Sequence, residues 1–84
     1  MPDAKVIEAI RDELRSHLHW LEAHFPVLPD DEGDAQAVYT LRRYIGDSMA
    51  ILEDDPSPSN LAKLRQRLRR ITIMVVELEG RYLT

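Results

Sequence analysis

The chain has 84 residues, of which 44% are apolar and 31% charged, with a formal net charge of −4 at pH 7 and no cysteine. This size provides one small domain over residues 1–84, and the balance of apolar and charged residues is typical of a foldable chain, not a disordered one. The lack of cysteine excludes a disulfide framework, a thiolate metal site and a thiol nucleophile.

Charged residues scattered through the first dozen positions interrupt any apolar signal-peptide core. The longest run without a charge or proline in the second half, 71–76, is far shorter than the roughly 18 residues of a membrane span. We therefore expect a cytoplasmic protein with no membrane span. Three glycines, at 33, 46 and 80, cannot form a glycine-rich phosphate loop, which excludes the nucleotide-binding enzyme folds.

The first predicted helix covers about 4–25. Asp3 is its expected N-cap, and Pro26 ends it because the residue before a proline is disfavoured in the α region. Apolar residues at spacings of three and four form a single stripe that should face the core: Ile7, Ile10, Leu14, Leu18, Leu21 and Phe25.

The second predicted helix covers about 35–54, with Asp34 as its expected N-cap. Its core stripe is Val38, Leu41, Ile45, Met49 and Leu52. Gly46 lies inside this helix, where glycine costs about 1 kcal/mol relative to alanine. We expect Gly46 to mark the close approach of another helix.

The third predicted helix covers about 58–80. Ser57 and Pro58 form an N-cap and N1 pair, and Gly80 is placed to end or loosen the helix. Seven apolar residues then repeat with heptad spacing: Leu61, Leu64, Leu68, Ile71, Val75, Leu78 and Tyr82. The β-branched run 71–76 could form a strand locally, but the unbroken heptad around it favours a helix.

Only a short break separates the second helix from the third, so the two should form an antiparallel hairpin. The longer 26–34 connection lets the first helix lie along the same groove. The sequence therefore predicts an all-α three-helix bundle, made of an antiparallel helical hairpin plus an N-terminal helix. Because so small a bundle buries only about 60–65% of its extended surface, we expect it to self-associate.

Catalytic and metal-binding patterns are weak. Glu13 and His17 stand at the i, i+4 spacing that lets two ligands converge on one metal. A helical metal enzyme using Glu13, His17 and His24 is one interpretation, but the other helices supply no histidine. Neither a nucleophile motif nor a buried carboxylate pair is evident. We expect no enzyme activity, no catalytic residues, no metal and no cofactor, and a structural or exposed role for the histidines.

Opposite charges lie in the two halves of the chain: residues 1–55 have 13 acids and five bases, whereas 56–84 have six bases and two acids. Five of these bases fall within one stretch, at Lys63, Arg65, Arg67, Arg69 and Arg70. Cations in the first half of a helix oppose its macrodipole, so their placement needs a cause. The first explanation is that the cations pair with acids, either within the chain at Asp47 and Glu53 or across an interface. The alternative explanations are that they bind nucleic-acid phosphates or an anionic membrane surface.

Ile73 falls nearly opposite the heptad stripe, with Met74 and Val76 on its flanks. Because this turn has apolar residues on every side, we expect the helix to be buried on the face opposite its core stripe as well. Trp20 is similarly displaced from the stripe of the first helix. The expected partner-binding residues are Ile73, Met74, Val76, Trp20, Arg69 and Arg70.

The sequence thus predicts a non-catalytic helical protein–protein interaction module that docks through its third helix on a second copy of itself or on another protein. The alternative is a small nucleic-acid-associated regulator that presents the basic stretch 63–70 to phosphates, and that alternative predicts binding that weakens steeply with salt.

Overall fold

A computed structural model describes residues 4–83, which form three helices: α1 (Ala4–His24), α2 (Glu32–Asp54) and α3 (Pro58–Tyr82). All three helices contact one another, so the predicted all-α three-helix bundle is confirmed. The bundle measures 45 × 20 × 18 Å. Between residues 4 and 83, no helix is long and apolar enough to cross a membrane.

The helices run up, down and up. Near the start of α1, Arg11 Nε donates to Glu53 Oε1 near the end of α2 at 3.0 Å. At the opposite end of the bundle, Asp34 at the start of α2 accepts hydrogen bonds from Arg81 and Tyr82 at the end of α3. Therefore α2 is antiparallel to both neighbours, and α1 and α3 are parallel.

One core joins the three helices, and the predicted stripes supply it. Its buried apolar residues are Ile10, Leu14, Leu21, Phe25, Val38, Leu41, Ile45, Leu52, Leu61, Leu64, Leu68, Ile71, Val75 and Leu78. Ser48 is the buried polar residue, and its hydroxyl donates to the Tyr44 carbonyl at 2.7 Å. Ile7, Leu18 and Met49 are partly buried against the core, whereas Tyr82 is exposed.

The helix starts differ in how well the sequence predicts them. Ser57 caps α3 as expected, accepting from the Asn60 amide, with Pro58 in the first turn. For α2 the predicted cap, Asp34, is wrong. Asp31 caps this helix by accepting from the Asp34 amide at 2.9 Å, so α2 begins at Glu32 and Asp34 lies in its first turn. The expected cap of α1, Asp3, lies outside the described residues.

Gly46 does not have its expected role, and Gly80 does not end its helix. Gly80 does not end α3, which continues to Tyr82, and the ring of Tyr82 meets Phe25 edge-on at 5.3 Å. A β-carbon added at Gly46 would meet nothing within 4 Å, so no neighbouring helix approaches it. Gly46 is exposed on the outer side of α2.

Candidate functional site

α3 has two apolar faces. The first is the buried heptad stripe, and the second is exposed: Ile73 is 58% and Val76 59% accessible. Leu83, just after the helix, is 48% accessible. Ile73, Val76, Gly80 and Leu83 follow one another at spacings of three, four and three, which is a second heptad line on the same helix. We call this line, extended back through Arg69 and Gln66, the outer seam.

The outer seam borders a groove of about 770 Å³ between α1 and α3. From α1 the groove is lined by Lys5, Val6, Ala9, Ile10 and Glu13, and from α3 by Arg65, Leu68, Arg69, Thr72 and Ile73. Five of these ten residues are apolar, most of the exposed surface of the groove is apolar, and two arginines border it. Arg69 and Ile73 belong to both the groove and the outer seam, so the two make one continuous surface, the α1/α3 face.

Of the two pairings expected for the basic stretch, the one with acids of the same chain is not found in residues 4–83, and the one across an interface stays a prediction. Across residues 4–83, no carboxylate oxygen lies within 4.0 Å of Lys63, Arg65, Arg69 or Arg70. Glu53, an expected partner, instead pairs with Arg11 of α1. These cations project from the flanks of α3, where Asp47 of α2 is beyond ion-pair distance.

A second groove lies on the other side of α3, against α2. It is lined by Tyr44, Lys63, Gln66, Arg67, Arg69 and Arg70. Here the Arg67 guanidinium lies over the Tyr44 ring, 4.9 Å from its centroid, and Arg67 Nη1 lies 3.5 Å from Ser48 Oγ. This α2/α3 groove is polar and cationic, in contrast to the apolar α1/α3 groove.

The predicted partner-binding residues divide between these two sides. Ile73 and Val76 lie on the α1/α3 face, and Arg69 lines both grooves. Met74 is partly buried against the core, and Arg70 lines the α2/α3 groove. Trp20 is also partly buried, and its ring lies 5.8 Å from that of Phe25 and 5.0 Å from that of His24.

Two of the three histidines, His17 and His24, form polar contacts within the bundle. His24 Nδ1 donates to the Trp20 carbonyl at 2.9 Å, and His17 Nε2 lies 3.5 Å from Thr72 Oγ1 of α3. In the part of the chain that the structure describes, no group of three histidine, aspartate or glutamate side chains is placed to hold a metal ion.

Two features of the structure were absent from the predictions. The first is Asp34, whose Oδ2 accepts from the Tyr82 hydroxyl at 2.6 Å while Oδ1 accepts from Arg81. The hydrogen bond from Tyr82 holds the pKa of Asp34 below its ordinary value of 3.8, partly opposed by burial and aided by Arg81. Reciprocally, the bond to Asp34 raises the pKa of Tyr82 to about 12.

The second is the length of the exposed apolar line. Sequence reasoning identified the turn at 73–76 but did not follow it to Leu83, although the same heptad spacing that revealed the core stripe continues there. It also missed Val6, Ala9 and Thr72 of the groove, since nothing in a single sequence indicates which residues of two parallel helices face each other.

Comparisons of this chain with protein-family models, with curated protein sequences and with solved structures find no match.

Proposed function

We propose that this chain is a non-catalytic protein–protein interaction module that docks through its α1/α3 face. The observation that carries the proposal is the exposure of Ile73 and Val76 on a helix whose opposite side already fills the core. Exposed apolar residues that extend a helical seam beside a groove are typical of a partner surface.

The energetics favour covering this face. Full burial of an isoleucine or valine side chain contributes about 1.5–3 kcal/mol each, so covering the exposed parts of Ile73 and Val76 would contribute about 2–3 kcal/mol together. Arg65 and Arg69 border the same surface without a carboxylate partner in residues 4–83. A partner that carries acids beside its apolar contact residues would satisfy both features.

Substituting Ile73→Glu tests the proposal, because a charge placed at a covered apolar position weakens association by about a hundredfold. Tyr39→Glu is the matched control, since Tyr39 is a comparably exposed apolar residue, 53% accessible, on α2. A photo-crosslinking amino acid in place of Val76 or of Tyr39 would identify the bound protein in the cells of origin, and light scattering would give the mass of the purified chain.

We expect crosslinks from position 76, to a second copy or to another protein, that are lost in the Ile73→Glu variant and kept in the Tyr39→Glu variant. Circular dichroism should show that both variants retain their helices. A monomeric chain whose position 76 crosslinks to no protein would reject the interaction module.

A second candidate, binding of a nucleic acid, is favoured by the convergence of Lys63, Arg67 and Arg70 on the α2/α3 groove. Its test is fluorescence anisotropy with labelled DNA and RNA over a range of salt. Binding should weaken with a logarithmic slope of about −0.9 per DNA phosphate contacted, and Lys63→Gln should reduce that slope by about one such contact. Absence of binding at low salt would eliminate this candidate.

A further inference from the structure

We propose that the occupant of the α1/α3 face is the same face of a second copy, with the two α3 helices antiparallel and a two-fold axis between Ile73 and Val76. The inference rests on the docking surface proposed above and specifies its partner. Closed two-fold dimers are the commonest protein assemblies, and they require a surface that is complementary to itself. The outer seam meets that requirement in one orientation.

The residues that would meet along the outer seam favour the antiparallel orientation. Because the two-fold axis passes between Ile73 and Val76, Ile73 of each copy packs against Val76 of the other. The same register places Arg69 opposite Gly80, where a β-carbon would meet nothing within 4 Å and an arginine side chain has space. A parallel pair in register would instead place Arg69 beside Arg69 of the second copy, and like charges in a seam are destabilising.

The charges beside the seam are complementary in the same register. Arg70 and Glu77 lie on one flank of α3, both exposed, seven residues and about 10.5 Å apart along the helix axis. Neither has an ion-pair partner among residues 4–83. In the antiparallel pair, two-fold symmetry brings each flank against itself, so Arg70 of each copy faces Glu77 of the other.

The arrangement also explains why α3 is charged against its own macrodipole. Its first half carries five cations and its last turns carry Glu77 and Glu79, so the dipole opposes both sets. An antiparallel second α3 places acids and the negative end of a helix beside those cations. Leu83 of the second copy then lies opposite Gln66, in the basic half of the first.

The test uses two charge-reversed chains, Arg70→Glu and Glu77→Arg. In a dimer of either chain, both flank contacts join like charges, whereas in a mixed dimer both join opposite charges. We expect each variant alone to self-associate about tenfold more weakly than the parent chain, and an equal mixture to recover that loss. Sedimentation over a wide concentration range measures both effects, with one chain labelled so that mixed dimers are counted.

The control pair is Arg43→Glu with Asp54→Arg, which changes the net charges by the same amounts at exposed positions of α2. Mixing the control pair should give no preference for mixed dimers. A dimer that shows no preference in the Arg70→Glu and Glu77→Arg mixture would overturn the antiparallel register. A parent chain that is monomeric at every concentration would overturn self-docking, whereas the interaction module itself would still stand if position 76 crosslinks to another protein.

Discussion

Asp34 connects two ends of the chain that are far apart in sequence. It lies in the first turn of α2, yet its carboxylate accepts from Arg81 and from Tyr82 at the end of α3. Because these contacts lower its pKa, the stability they contribute is present above the ordinary value of 3.8 and is lost as pH falls through the lowered one. The ionised Asp34 therefore helps to hold the last turn of α3.

The Tyr82→Phe substitution removes the hydroxyl that donates to Asp34, so its effect on stability should depend on pH in the alkaline range. The pKa of Tyr82 is raised from 10.0 to about 12, so the protonated hydroxyl stabilises the fold below pH 10 and that contribution is lost as pH rises through about 12. The Phe variant should be less stable than the parent chain near neutrality, with the difference vanishing above about pH 12.

Urea unfolding of both chains at several pH values measures that difference, and the contributions of all other groups cancel because both chains contain them. Tyr44→Phe is a suitable control, because Tyr44 contacts the Arg67 guanidinium through its ring, which phenylalanine keeps. A difference between parent and Tyr82→Phe that does not change with pH would contradict a hydrogen bond from the Tyr82 hydroxyl to Asp34.

At the scale of the elements, α2 contains a glycine that lowers its helix propensity. Gly46 is exposed within the helix, and a β-carbon there would meet nothing within 4 Å. The Gly46→Ala substitution should therefore stabilise the protein by about 1 kcal/mol, through helix propensity and reduced entropy of the unfolded chain.

Thermal or urea unfolding checks this gain. Gly33→Ala provides the comparison, since its β-carbon would approach the capping oxygen Oδ1 of Asp31 to 3.3 Å and should bring a smaller gain or a loss. If Gly46→Ala were destabilising, α2 would need the flexibility of glycine at that position for a reason outside the bundle.

The helices themselves were predictable because apolar spacing and capping chemistry are local. Ser57 with Pro58 fixed the start of α3, and proline ended α1 within one residue of the expected position. The start of α2 was not predictable in the same way, because Asp31 and Asp34 are both good caps. Which one caps the helix depends on Tyr82 and Arg81, which engage the other carboxylate and are distant in sequence.

At the scale of the whole molecule, the three apolar stripes and the two breaks between them were enough to predict the bundle. They were not enough to predict which charged side chains pair. The opposed charges of the two halves suggested pairing within the chain, which would have satisfied the basic stretch. The structure instead pairs Glu53 with Arg11 and leaves Arg65, Arg69 and Arg70 beyond ion-pair distance of any acid in residues 4–83. Rotation of each helix about its axis decides such pairings, and a single sequence does not specify it closely enough.

The Cα atoms span 45 × 20 × 18 Å, so this protein is a short rod and not a sphere. A rod experiences more friction in solution than a sphere of equal mass, so its frictional ratio exceeds that of a round protein. A single chain will leave a sizing column earlier than its 9.7 kDa would suggest. Elution volume therefore overstates the number of copies, and scattering mass or sedimentation equilibrium, which are independent of shape, distinguish one copy from two.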